Sequence, residues 1–200
     1  MPVSDTSPTQ LREMVRGVYS SAAEQQKEKH AFPVGRQFAE SIGYPADLLA
    51  SLPSVACDAF AGVPNVSLFA ELSAGATVLD LGCGSGTDTL IAAQRVGRTG
   101  KVVGVDFSAA MLSRARQAVD QSGTGNIEIR QSDAELLPIA DGEIDVAIVN
   151  GIFNLNPARE AIFHELARVI KPSGKLFAAE LILRQPLPPE ARTSETDWFA

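Results

Sequence analysis

The chain has 200 residues, 45% of them hydrophobic and 20% charged, with a net charge of −7. That length and apolar share suit one α/β domain with a real core and exclude a disordered chain. The acidic balance, with no basic block, argues against nucleic acid as a partner, and no apolar run is long enough to span a bilayer.

Met1–Gln10 is polar, carries Pro2 and Pro8, and lacks a signal peptide's apolar stretch, so residues 1–10 read as a disordered tail. Leu11 to about Lys29 has helical spacing, with Leu11, Met14, Val15, Val18 and Ala22 near one face, and Phe32-Pro33 breaks it. Pro45 is placed to start a short helix over Asp47–Ser51. Residues 53–66, with Pro53, Gly62 and Pro64, read as a loop. Residues 11–70 together form an N-terminal helical cap segment.

From Ala76 the pattern changes to strand–helix alternation. Thr77–Leu81 is a strand, Thr87–Val96 a helix and Lys101–Val105 a second strand. Ser108 caps a helix that runs to about Gln121. Asn126–Gln131 and Ile144–Asn150 are the third and fourth strands. Arg159–Ile170 is helical and stops at Pro172-Ser173-Gly174, and Lys175–Leu183 is the fifth strand. The alternation predicts an α/β, Rossmann-like, doubly wound and mostly parallel sheet over residues 71–185. Pro186, Pro188 and Pro189 interrupt the remaining residues. Residues 186–200, ending in Trp198-Phe199-Ala200, read as an incomplete C-terminal extension that leaves the fifth strand an open apolar edge.

The chemistry concentrates at Val78-Leu-Asp-Leu-Gly-Cys-Gly-Ser-Gly86, with Val105-Asp106 one strand–helix–strand unit later. Gly82, Gly84 and Gly86 let backbone approach a ligand, and Asp106 ends a strand where a carboxylate grips a ribose diol. The pattern implies a nucleoside-containing cofactor. The dinucleotide fingerprint G-x-G-x-x-G is not met, because the third glycine arrives early and Thr87 takes its place. Asp80 would repel a pyrophosphate but attracts the ammonium and sulfonium of S-adenosylmethionine, which is the favoured cofactor.

Ligands in such sheets lie beyond the carboxyl ends of the strands. Asp80, Gly82, Cys83 and Gly84 are expected to face the methionine moiety, with Cys83 small enough to pack inside the loop. Asp106 accepts both ribose hydroxyls, and Phe107 and Met111 pack on the adenine. Asp133 accepts from the adenine amino group while Ala134 offers its backbone N–H. Asn150 ends the fourth strand beside the reacting methyl group. Asp133 has the plainer alternative of capping the next turn, and Asn150 that of a turn residue. No catalytic base stands out: His164 falls on a surface position, and His30 reads as a C-terminal helix cap with a candidate base as its alternative. The lone Cys57 and Cys83 form neither a disulfide framework nor a metal site, which fits a reducing cytoplasm.

Over roughly residues 11–185 the chain resembles class I S-adenosylmethionine-dependent methyltransferases. Within them it is most similar to arsenite methyltransferases and related small-molecule methyltransferases. The resemblance lies in Val78–Gly86, Gly104-Val105-Asp106, Asp133-Ala134-Glu135, Asn150-Gly-Ile-Phe-Asn-Leu-Asn-Pro157 and Arg168–Gly174. Val18-Tyr19 and Ala50-Ser51-Leu52-Pro53 are similar to that family's opening segment, which implies that Tyr19 covers the cofactor.

The family's arsenic-binding cysteines are missing. Gly151 stands where one is expected, Ala61 where another is, and Cys57 is a few residues off. One thiol cannot build a multi-thiolate site, so arsenite as acceptor is disfavoured. The terminal strands that the resemblance implies are also missing. The reading is therefore a methyltransferase acting on a small molecule. The alternative is a cofactor-binding or assembly protein with lost turnover. Pairing through the open edge into a homo-oligomer is the expected self-association.

Overall fold

A computed structural model of the chain describes residues 7–24, 30, 32–182 and 185. The expected tail over residues 1–6, residues 25–29 of the first helix, Leu183 of the fifth strand and the extension over residues 186–200 lie outside the described residues.

The first helix, α1 (Pro8–Glu24), starts before Leu11. Ser7-Pro8-Thr9-Gln10 is a capping box with proline in the first turn. Gln10 N donates to Ser7 Oγ at 3.3 Å, and Ser7 N donates back to Gln10 Oε1 at 2.9 Å. Residues 7–10, expected as part of the disordered tail, are therefore ordered.

Four short helices come next: α2 (Arg36–Ser41), α3 (Ala46–Ser51), α4 (Ser54–Cys57) and α5 (Val66–Phe69). The expected loop over residues 53–66 thus contains α4 and the start of α5. A single turn is too short to display apolar periodicity, but Val55, Ala56 and Cys57 are all buried. They pack with Leu49, Leu52 and Phe60 against Leu90 and Ile91 of the next helix.

The sheet is built from β1 (Thr77–Leu81), β2 (Lys101–Asp106), β3 (Ile127–Gln131), β4 (Ile144–Asn150) and β5 (Ile170–Ala179). The crossovers run through α6 (Thr87–Val96), α7 (Ala109–Ser122) and α8 (Arg159–Val169). All five strands are parallel, in the order β3-β2-β1-β4-β5. This is the expected doubly wound α/β sheet.

Alternation along the strands divides the core. Leu79, Leu81, Val103, Val105, Ala147 and Val149 face Ile162, Leu166 and Val169 of α8. Val78, Val102, Val146 and Ile148 face Val66 of α5 and Ala92, Ala93 and Val96 of α6. Burial on both faces explains why the strands read as apolar runs.

β5 begins at Ile170, ahead of the expected Lys175, and ends at Ala179, so Glu180, Leu181 and Ile182 fall outside the strand. Pro172-Ser173-Gly174 fall inside a register shift opposite Ile144/Val146, where the ladder tolerates a proline. Among the described residues β5 pairs with β4 alone, so it is one of the sheet's two edges, β3 being the other. The chain leaves β1 toward β2 and β3, then returns to β4 and β5. The switch point therefore lies between β1 and β4, and the cavity opens above it.

Candidate active site

The turn after β1 is moulded by glycine. Gly82 has φ +79°, and a Cβ there would collide with Ile152 Cγ2. The loop is then latched to β2. Gly82 N and Cys83 N donate to the Val105 carbonyl at 2.8 and 3.1 Å, and Gly84 N donates to Asp106 Oδ2 at 3.0 Å. Cys83 packs over Gly104 of β2, where a Cβ would come within 3.2 Å of its sulfur. Ser85 and Thr87 donate to the Ala56 carbonyl at 2.5 and 2.9 Å, tying the loop to α4.

Tyr19, Asp80, Gly82, Cys83, Gly84, Asp106, Phe107, Met111, Asp133, Ala134 and Asn150 all line one cavity. Asp106 keeps its carboxylate fixed by Gly84 N and by Ser108 N at 2.8 Å, while a carboxylate's further lone pairs remain for a diol. Ser108 caps α7 as expected, accepting from Met111 N at 3.3 Å. Asp133 reaches the cavity, but its Oδ1 pairs with Arg16 of α1 at 3.3 Å. The turn after it is closed by Leu136 N on the Asp133 carbonyl at 3.2 Å rather than by its side chain.

Tyr19 of α1 sits with its ring 5.0 Å from Phe32. Burial, then the charges of Asp106 and Glu180, raise its phenol well above the ordinary value. It therefore stays protonated and is no general base. His164 is 79% exposed with Glu160 3.8 Å away, and neither His164 nor His30 lines the cavity.

The cavity floor holds carboxylates that the sequence motifs assemble only in part. Asp80, Asp88 and Asp106 are 1%, 6% and 8% exposed, and none forms an ion pair among the described residues. Asp80 accepts from Thr89 Oγ1 at 2.5 Å. Burial, then the neighbouring Asp88, push its carboxyl up to about 8. Burial likewise raises Asp88 and Asp106, against the hydrogen bonds that favour their charged forms. Burying a carboxylate without a cation is costly, and the upward shifts express that cost.

Asp88, in the first turn of α6, is absent from the sequence-based set. It accepts from Tyr44 Oη at 2.9 Å, from Ser67 Oγ and from Asn150 Nδ2 at 2.8 Å. Asn150 accepts in turn from Val63 N at 2.7 Å. Asn150 thus binds the 60s loop to α6, and both ends of its amide are engaged. The local hint was an acidic residue just after the glycine turn, but its partners lie far away in sequence.

Phe60, Ala61, Gly62, Gly151, Ile152 and Leu155 also line the cavity, and none of them brings a thiol. Cys57 is buried outside this lining, donates to the Leu49 carbonyl at 3.9 Å, and is pushed up to about 11 by burial.

Residues 72–199 match the family model described as a methyltransferase domain. The chain is 34% identical over 205 residues to an arsenite methyltransferase of Halobacterium salinarum; the match covers 95% of the chain and 52% of that relative. It is 36% identical over 106 residues to a demethylmenaquinone methyltransferase of Lactococcus lactis, covering 53% of the chain and 42% of that protein. Its fold matches an arsenic(III) S-adenosylmethionine methyltransferase of Chlamydomonas reinhardtii with TM-score 0.59 and 29% identity, over 80% of the chain and 53% of that structure. The chain therefore spans about half the length of these relatives.

Proposed function

The chain belongs to the methyltransferase-domain family, in its class I S-adenosylmethionine-dependent group, and on that premise we propose that it methylates a small-molecule acceptor. The observation that carries the reading is the set of buried carboxylates, Asp80, Asp88 and Asp106, none of which forms an ion pair among the described residues. S-adenosylmethionine brings an ammonium and a sulfonium and no phosphate, so it supplies the missing positive charge. The residues present suit that cofactor. Asp80 and the Gly82–Gly84 turn hold its amino-acid end, Asp106 its ribose, and Phe107, Met111, Asp133 and Ala134 its adenine. Tyr19 closes over it from α1.

Bound there, the cofactor supplies an activated methyl group for in-line displacement. The protein's part is alignment and exclusion of water. Asn150, held at both ends, fixes the 60s loop and so the wall on which the acceptor rests. That wall is apolar and uncharged, which suits a small organic acceptor. Arsenite is disfavoured, because Ala61 and Gly151 stand where the resemblance expects thiolates and Cys57 lies outside the cavity. Two free buried cysteines suit a cytoplasmic enzyme. No described helix is long and apolar enough to cross a membrane.

Calorimetric titration with S-adenosylmethionine, S-adenosylhomocysteine and NAD tests the cofactor. Transfer of labelled methyl to a metabolite panel tests turnover. Binding of the first two with transfer to an organic acceptor is expected. Tight binding without transfer to any acceptor would replace the enzyme by a cofactor-binding protein, and preference for NAD would overturn the reading.

A further inference from the structure

Arg16 has no role in the proposed function so far, yet its guanidinium is part of the cavity wall. It comes from α1, and its Cζ lies 5.6 Å from the centroid of the Phe107 ring. Its Nη2 pairs with Asp133 Oδ1 at 3.3 Å and its Nη1 with Glu13 Oε1 at 3.5 Å, while its buried Nε has no hydrogen-bond partner among the described residues. A flat cation, a flat ring, an acceptor carboxylate and an unused donor thus meet at one end of the cavity. That end is next to Asp106, one residue before Phe107.

We propose that Arg16 and Phe107 are the two jaws of a clamp that holds the purine of the cofactor between them. The inference rests on S-adenosylmethionine being the cofactor and adds a specificity residue to that site. A purine offers two flat faces, an exocyclic amine that donates, and ring nitrogens that accept. Phe107 takes one face and the guanidinium the other, since an arginine stacks on aromatic planes where a lysine does not. Asp133 keeps one oxygen on Arg16 and has the other for the amine.

With nothing between them the jaws rest close together. A ring stacked on both faces needs about 7 Å between its neighbours, twice the optimal carbon–carbon separation. The clamp therefore opens by roughly 1.5 Å, an outward shift of α1 or of the Arg16 side chain. Independent contacts keep α1 in place. Arg12 pairs with Glu135 at 2.5 Å, the Ser20 and Ser108 hydroxyls share a hydrogen bond of 3.2 Å, and Arg114 donates to the Ala23 carbonyl at 3.3 Å. Loss of Arg16 alone leaves those anchors.

Titration of the 200-residue chain with S-adenosylhomocysteine and with 5′-methylthioadenosine, which lacks the amino-acid end, tests the clamp. Arg16→Ala is expected to weaken both by about tenfold, between the orders of an exposed and a fully desolvated cation–π contact, because the Arg16 side chain is 43% exposed before the ring covers it. Arg16→Lys keeps a charge for Asp133 but not the plane, and is expected to remain at least roughly fivefold weak. Phe107→Leu, which keeps bulk but removes the ring, is expected to lose a similar factor and carries the test should the Arg16 variants fold poorly. Wild-type affinity in Arg16→Ala, or recovery to within about twofold in Arg16→Lys, would overturn the clamp and leave Arg16 a mere tether of Asp133. Failure of the wild-type chain to bind either probe would instead strike at the cofactor assignment itself.

Discussion

Asn150, the last residue of β4, donates its amide to Asp88 of α6 at 2.8 Å and accepts from Val63 N at 2.7 Å, so one side chain joins sheet, helix and loop. Asn150→Ala strips a donor from a buried carboxylate and leaves the Val63 N–H unpaired. Each loss of this kind costs about 1–3 kcal/mol. Urea denaturation is expected to show destabilisation in that range. Asn150→Asp adds a further carboxylate to the cluster and should be worse than alanine at about pH 8. An unchanged midpoint in Asn150→Ala would remove Asn150 from this role.

The sheet was legible because both faces of its strands are buried, which writes continuous apolar runs such as Val146-Ala-Ile-Val149. These cavity-lining positions were legible because glycines and a strand-ending Asp106 mark them locally. Asp88 and Tyr44 were not, since their bond spans 44 positions of the chain and the one local hint, an acidic residue after the glycine turn, does not name its partner. The same holds for Arg16, whose partners Phe107 and Asp133 are far from it along the chain. The turns α4 and α5 escaped because one turn of helix has no period to display.

Asp106→Ala removes the carboxylate proposed to accept both ribose hydroxyls. Hydrogen bonds to a charged group are worth about 1.5–3 kcal/mol each. S-adenosylmethionine affinity is expected to fall at least tenfold by calorimetry. The variant also leaves Gly84 N and Ser108 N without their acceptor, so its melting temperature should drop while unfolding stays cooperative. Unchanged affinity would sink the ribose assignment.

The Asp80 carboxyl lies at about 8 when folded against an ordinary 3.8, so the folded chain holds a proton there that the unfolded chain releases. Its contribution to stability is fully present below about pH 4 and is lost as pH rises through about 8. Over that window the ligand-free chain is expected to melt at falling temperatures. A cationic cofactor favours the ionised form, so binding at about pH 7 should release a proton and flatten the slope. Calorimetry in buffers of different ionisation enthalpy measures the release. Its persistence in Asp80→Asn would disprove the assignment.

Trivalent arsenic is expected to bind no better than to a single cysteine, because the acceptor wall presents Ala61 and Gly151 where thiolates would be needed. The Cys57 thiol, raised to about 11, is a poor ligand at neutral pH. Arsenite titration of the chain and of Cys57→Ser measures this. A tight stoichiometric complex that survives Cys57→Ser would contradict it.

The edge of the sheet sets the last expectation. β5 has β4 on one side and no strand on the other among the described residues, so one row of backbone donors and acceptors is unpaired. Beside it Leu176 is 37% exposed, Leu181 58% and Ile182 84%. A bare apolar edge invites pairing with another strand. The 200-residue chain is therefore expected to self-associate through β5 or to melt at a low temperature. Light scattering across a concentration series, together with thermal melting, separates the two. Leu176→Lys places a charge beside the edge and should shift the population toward monomer without moving cofactor affinity, since Leu176 is not part of the cavity wall. A monodisperse, stable monomer of the unmodified chain would mean that the edge is covered by residues beyond Ile182.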